Sequence, residues 1–298
     1  SDNLTLLGGS QTFHGGSQLS VKKSSFFKDA SLALNDTSIL IHENAGLNLD
    51  NTSVDLSQST WEIQTNAVVQ SDNSTLNWAG QLSKSGEGEL HLDEVRLSGN
   101  ASYLGNNELQ LRLLGLDNHS LNLNSESSSL RITDPLIITD NQSIRQTKNA
   151  DLVLENGLEL SAGIVSSTAG KVEVHQILYS TGGTLDLSDS TLALEGSWNH
   201  QGGAFLSTGN AINLLGGLNL QSQSQLTFEQ LDLEGSVLKF LGATTELEIQ
   251  SGLTLVGETE GVQVNSGSLT LLETLELNAG YLRAEGGGVR LEQGATLM

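Results

Sequence analysis

The chain has no cysteine and a single proline, Pro135. The missing thiols exclude disulfides and thiolate–metal sites from the readings the sequence supports. Aromatic residues make up only 4% of the 298 positions, so any interior must be assembled mainly from Leu, Ile, Val and Ala. Charged residues are also scarce, at 16% against the roughly 25% of typical globular domains. The basic ones are the rarer, 13 Lys and Arg facing 35 Asp and Glu for a net charge of −22. After Lys171 only Lys239, Arg283 and Arg290 carry positive charge. A surface of that sign offers no electrostatic footprint for nucleic acid or anionic lipid, and no such partner is expected.

No stretch approaches the roughly 18 consecutive apolar residues of a membrane-spanning helix, so no membrane insertion is expected. Capped amphipathic stretches of helical period are missing as well. Ser1 leads into a strand-like segment without a basic-then-apolar leader. The expectation is a processed mature protein, an excised fragment or a cytosolic chain.

What remains is Ser, Thr, Asn, Gln, 33 glycines and a regular apolar pulse. Short x-Leu-x-Leu phrases recur, as in Thr191-Leu192-Ala193-Leu194, Ala211-Ile212-Asn213-Leu214, Gln230-Leu231-Asp232-Leu233, Leu253-Thr254-Leu255 and Leu275-Glu276-Leu277. Alternation with period two is the mark of a half-buried strand. A step of about 20 residues between copies is the mark of a solenoid or array. Disordered low-complexity chains lack such spacing, so an ordered chain is expected.

Three interleaved inward series follow the chain. One passes through Phe26, Leu47, Val68, Leu90, Leu111, Val172, Leu192, Ile212 and Leu231. A second includes Leu32, Val54, Leu76, Leu97, Ile137, Leu158, Ile177, Trp198 and Leu218. The third includes Leu19, Ile39, Trp61, Leu82, Leu104, Ile164, Leu185, Phe205 and Leu226. Between residues 60 and 125 the pattern weakens, and assignments there slip by up to two residues.

Three short strands per coil of about 20 residues, and about 14 coils, describe an all-β, right-handed parallel β-helix. Stacked at about 4.8 Å per coil, it would extend roughly 65 to 70 Å. Small-residue corners support it, Gly15-Gly16-Ser17, Gly182-Gly183, Gly202-Gly203 and Gly286-Gly287-Gly288, three of which fall at the same phase in different coils. In other coils that corner reads Ser222-Gln223-Ser224-Gln225 or Gly242-Ala243-Thr244-Thr245. Gly86-Glu87-Gly88 and Asn106-Asn107 read as longer corners. No linker interrupts the pattern, so residues 1–298 are read as one solenoid domain, a segment of a longer solenoid or a filament subunit. Leu4-Thr5-Leu6-Leu7 and Ala295-Thr296-Leu297-Met298 look like uncapped strands, which would permit self-association end to end.

No catalytic, cofactor-binding or metal-binding residue is assigned, and no enzyme activity is expected. The six histidines (His14, His42, His91, His119, His175 and His200) do not recur at one phase and are read as surface or corner residues. Asp134 and Asp140, near Arg131 and Arg145, are the best local carboxylates for acid–base chemistry, which needs environments that separate their pKa values. A solvated, charge-compensated coil is the competing reading. No Thr-x-Thr array recurs, and Gly-Gly-x-Gly-x-Asp calcium repeats are missing. Ser71-Asp72-Asn73-Ser74 reads as a turn. Asn-x-Ser/Thr triplets start at Asn3, Asn35, Asn51, Asn73, Asn100, Asn118 and Asn141, all in the first half.

The copies Gly183-Thr184-Leu185-Asp186-Leu187, Gly217-Leu218-Asn219-Leu220 and Ser268-Leu269-Thr270-Leu271 resemble repeats of filamentous-haemagglutinin-type adhesins. Those are bacterial exoproteins of two-partner secretion, and autotransporter passengers are similar. The resemblance implies an extracellular or cell-surface shaft with adhesion to host or matrix glycans or proteins. Two alternatives stand beside it: a polysaccharide-degrading β-helix enzyme or phage-tailspike-like glycan binder, and a subunit that stacks end to end into filaments.

Overall fold

A computed structural model describes residues 4–147, 149–209, 211–221, 225–292 and 296–298. The triplet at Asn3, the corner residues Ser222 to Ser224, and Ala295 lie outside the described residues. The chain is an all-β parallel solenoid, with about 13 turns of about 21 residues among the described residues. It packs as two compact units, residues 1–134 with 142–152, and residues 135–141 with 153–298.

In the second unit each coil carries three short strands, as in Lys171–Val174, Leu178–Ser180 and Thr184–Ser188. Each pairs in parallel with its counterpart one coil on: Val172 with Leu192, Leu178 with Trp198, and Leu185 with Phe205. Alternate residues point inward and are fully buried, including Val172, Leu192, Ile212, Leu218 and Leu238. Backbone pairing and apolar stacking therefore repeat together at about 4.8 Å per coil.

The first unit uses the same ladders with longer strands. Ser25–Leu34, Ser53–Ile63 and Leu90–Gly105 run through corners without losing extended pairing. Where Ser53–Ile63 turns from one face to the next, its register with Thr75–Lys84 shifts between Leu56 and Ser59. The short strands anticipated from the sequence thus hold throughout the second unit, whereas the first mixes them, as in Gln18–Val21 and Ser38–Ile41, with these longer ones.

The glycine corners stand where the sequence placed them. Gly183 and Gly203 have φ of 70° and 97°, and a Cβ there would come within 2.6 Å and 2.5 Å of carbonyl oxygens in the preceding coil. Stacked backbone leaves no room for a side chain. The first unit meets the same need with Asn and Asp: Asp29, Asn51 and Asn73 have φ of 51°, 47° and 49°. These residue types tolerate the left-handed region better than most. In this ladder the next residue (Ala30, Thr52, Ser74) is buried and the one after is Ser31, Ser53 or Thr75. The glycosylation-like triplets at Asn51 and Asn73 are by-products of this corner, which accounts for part of their crowding into the first half.

Several inward assignments are corrected. Phe26, Val68, Leu104 and Ile164 face outward, while Phe27, Val69, Tyr103 and Val165 are buried in their stead. Ile137 and Ile177 are 51% and 52% exposed between or beside buried Leu136, Ile138 and Leu178. In every case an apolar neighbour removes the polar marker that would set the parity, and a one-residue slip turns the whole strand over. Two assignments slip by two residues and keep their parity: Leu111 pairs with Leu92 instead of Leu90, and Leu76 with Val95 instead of Leu97.

Candidate functional site

The inward parity that places Leu82 in the core carries Lys84 in with it. Its ladder runs Val21, Ile41, Ile63, Lys84, Gly105. Lys84 is 3% exposed, and its ammonium donates to the Glu87 carbonyl at 3.0 Å in the Gly86-Glu87-Gly88 corner. Burial pulls its pKa below the ordinary value of 10.5. The space left by Gly105 is filled by the Tyr103 ring, whose hydroxyl donates to Asn107 O at 3.1 Å. Lys84→Met should raise stability by about 1 kcal/mol, since a desolvated ammonium gives way to an apolar chain of similar length. An unchanged or lower urea midpoint would show that the Glu87 bond outweighs desolvation.

His200 is the second polar intruder. It is 2% exposed, so its assignment to the surface is corrected. Trp198 is inward, and period two places His200 inward too, between Ser180 and Leu220. Trp198 Nε1 donates to Ser180 Oγ at 3.0 Å, and Ser180 Oγ meets His200 Nδ1 at 2.7 Å. His200 Nε2 has no partner. Burial drives its pKa from 6.5 down to about 4. Trp198 also packs against Phe205 and Phe228, with centroids 5.4 and 6.1 Å away. The imidazole and the Ser180 hydroxyl are shut off from solvent, so this triad is an element of the core.

The carboxylates singled out in the sequence are held differently from that reading. Asp134 pairs with Arg112 at 2.5 Å, and Arg131 pairs with Glu108 at 3.0 Å. Asp140 is exposed, with the Thr139 hydroxyl at 3.4 Å, and Arg145 is exposed. Thr245, half of the one Thr pair, is fully buried at a corner. Of the remaining histidines, His42 meets Ser20 Oγ at 2.8 Å and His175 meets Glu155 at 2.9 Å. His14 and His91 are exposed.

On the outer faces polar side chains of neighbouring coils bond to one another. Asn51 donates to Asp29 at 2.6 Å, Asn66 to Asn44 at 3.3 Å, Asn219 to Asn199 at 2.9 Å and Gln201 to Gln221 at 2.8 Å. One outer ladder of the first unit combines unbonded polar side chains with an outward aromatic ring. Phe26, Asn48, Gln70, His91 and Gln110 occupy one register position in successive coils. Phe26, Asn48 and Gln70, with Gly46 and Val68 beside them, line a groove of about 410 Å³. Gly46 lacks a side chain where the groove is open, and a Cβ there would meet nothing closer than Ser24 Oγ at 3.6 Å. Among the described residues Asn48, His91 and Gln110 make no side-chain hydrogen bond, except that the Asn48, His91 and Gln110 backbones stay in their ladders, and Gln70 makes one, to Glu89 at 3.4 Å. The parity error at Phe26 hid this groove from the sequence reading.

No protein-family model, curated protein or solved structure matches this chain. Its parallel coils are compatible with a β-helical repeat protein.

Proposed function

We propose that this chain is a non-enzymatic structural and adhesive element outside a bacterial cell, a stiff support of the kind its repeat style resembles. The observation that supports the reading is the side-chain pairing of the outer faces. Asn199 with Asn219 and Gln201 with Gln221 tie one coil to the next outside the core, and Lys28 with Asp50 at 2.8 Å ties another pair. Exposed pairs of this sort contribute little singly. Repeated over the coils beside continuous backbone ladders, they restrict bending without creating a reaction centre. The acidic surface keeps copies soluble and leaves contact with ligands to neutral polar groups.

The reading is tested by coating beads with the purified chain and challenging them with cells and with immobilised matrix glycans and proteins. Retention of the beads, with no new reducing ends in the glycan, is the expected result. Release of reducing ends would sink the non-enzymatic reading and favour a polysaccharide-degrading enzyme. Failure to retain any surface would remove adhesion.

A further inference from the structure

In the outer ladder Phe26, Asn48, Gln70, His91, an outward aromatic ring and the unpaired Asn48 amide line an open groove, and His91 continues the ladder beyond it. We infer that this ladder binds a linear, uncharged glycan lying along the stacking direction of the coils. The inference rests on the adhesive reading and names the ligand class for it.

Three observations carry it. Phe26 is partly exposed at the groove, beside Gly46, where the floor is lowered by a missing side chain. An aromatic face next to an open floor suits the apolar face of a sugar ring, which gains from contact with an apolar surface while its edge stays polar. The next positions in the ladder are Asn48, Gln70 and His91, whose amide and imidazole groups each present a donor and an acceptor. Vicinal hydroxyls of a sugar are matched by that donor–acceptor pairing. Asn199 with Asn219 and Gln201 with Gln221 satisfy one another from coil to coil, whereas Asn48 and His91 leave their side-chain donors and acceptors open to a ligand.

Charge selects the ligand class. Phe26, Asn48 and Gln70 at the groove carry no formal charge, and the parallel ladder has its cations paired, Lys28 with Asp50 and Arg112 with Asp93. Exposed Lys22 and Lys23 precede Ser24 at the groove edge, but no cation of these ladders is left unpaired among the described residues, and the net charge of −22 repels a sulfate or uronate. Equivalent side chains recur at about 4.8 Å, the coil rise. An extended polysaccharide laid along the stack therefore meets several coils.

Titration calorimetry with neutral β-linked oligosaccharides of increasing length tests the assignment. Affinity should climb with length. Phe26→Ala and Gly46→Gln should each weaken binding by about tenfold or more, and an oligouronate of matched length should not bind. Gly46 does not require a left-handed backbone, so its substitution fills the groove without strain; circular dichroism confirms the fold of both variants. Absence of binding by every neutral oligosaccharide, or binding indifferent to both substitutions, overturns the inference. The bead assay separates the two levels. Wild-type adhesion that survives both substitutions overturns the glycan groove and leaves adhesion standing, whereas a wild type that binds no surface removes the adhesive reading itself.

Discussion

Acidification from pH 6.5 to about 4 should cost the wild-type chain about 3 kcal/mol through His200 alone, and His200→Leu should abolish that loss. In the unfolded chain the imidazole takes its proton near pH 6.5, but in the core it does so only near 4. Between those values the unfolded state binds more protons, so stability falls as pH falls. Below about 4 both states are protonated and this contribution stops changing. The cause is burial: the ring is 2% exposed, bonded only to Ser180 Oγ, with Nε2 unpartnered. An imidazolium there would present a second N–H with no acceptor.

Leucine continues the ladder, because Leu160 and Leu220 flank Ser180 and His200 at the same position. Trp198 keeps its bond to Ser180 in the variant. Urea titrations followed by tryptophan fluorescence across this pH range read the difference in slope between the two proteins. The other histidines are common to both and cancel. Identical pH slopes for wild type and His200→Leu would rule out His200 as the source.

Glu260→Gln should destabilise the chain by about 2 to 3 kcal/mol near neutral pH, an effect of a different kind and pH window. Glu260 sits at an inward corner position, 4% exposed, in the coil after Ser236. Its carboxylate accepts N–H from Val256 at 2.7 Å and from Gly235 in the preceding coil at 3.1 Å. One side chain thus closes the corner at residues 256–260 and ties it to its neighbour. Burial pushes the carboxyl pKa up, but the backbone N–H groups of Gly257, Val256 and Gly235 outweigh it and hold the value below 4.5.

A depressed carboxyl contributes stability that is complete above 4.5 and is lost as pH falls through the lower folded value. Glutamine keeps the size and one acceptor oxygen but turns an NH₂ toward the other backbone donor, so it loses one of the two bonds and the acid dependence together. The urea midpoint near neutral pH and again below 4.5 reports both. A Glu260→Gln protein as stable as wild type near neutral pH would show that the corner closes without the carboxylate.

The two sites also differ in how far they were legible. Trp198-Asn199-His200 carries its own answer: if Trp198 faces inward, His200 does too, and reading it as a surface residue overlooked that parity. Lys84 follows from Leu82 in the same way. Glu260 has no such marker, because a corner residue belongs to no alternating run. Its partners, Val256 and Gly235, are brought together only by the stacking of one coil on another.

By itself the sequence determined the parallel solenoid, its repeat of about 20 residues and the glycine corners at Gly182-Gly183 and Gly202-Gly203. These follow from local alternation and from the steric needs of a turn, both properties of neighbouring residues. Only the tertiary structure decided which of Phe26 and Phe27, Val68 and Val69, or Ile164 and Val165 faces the core. In such doublets no polar residue sets the parity. The choice falls to hydrogen bonds with a strand about one coil away, such as those that pair Ser25 with Leu47 and Phe27 with Leu49. That choice turned Phe26 outward and opened the groove beside Gly46.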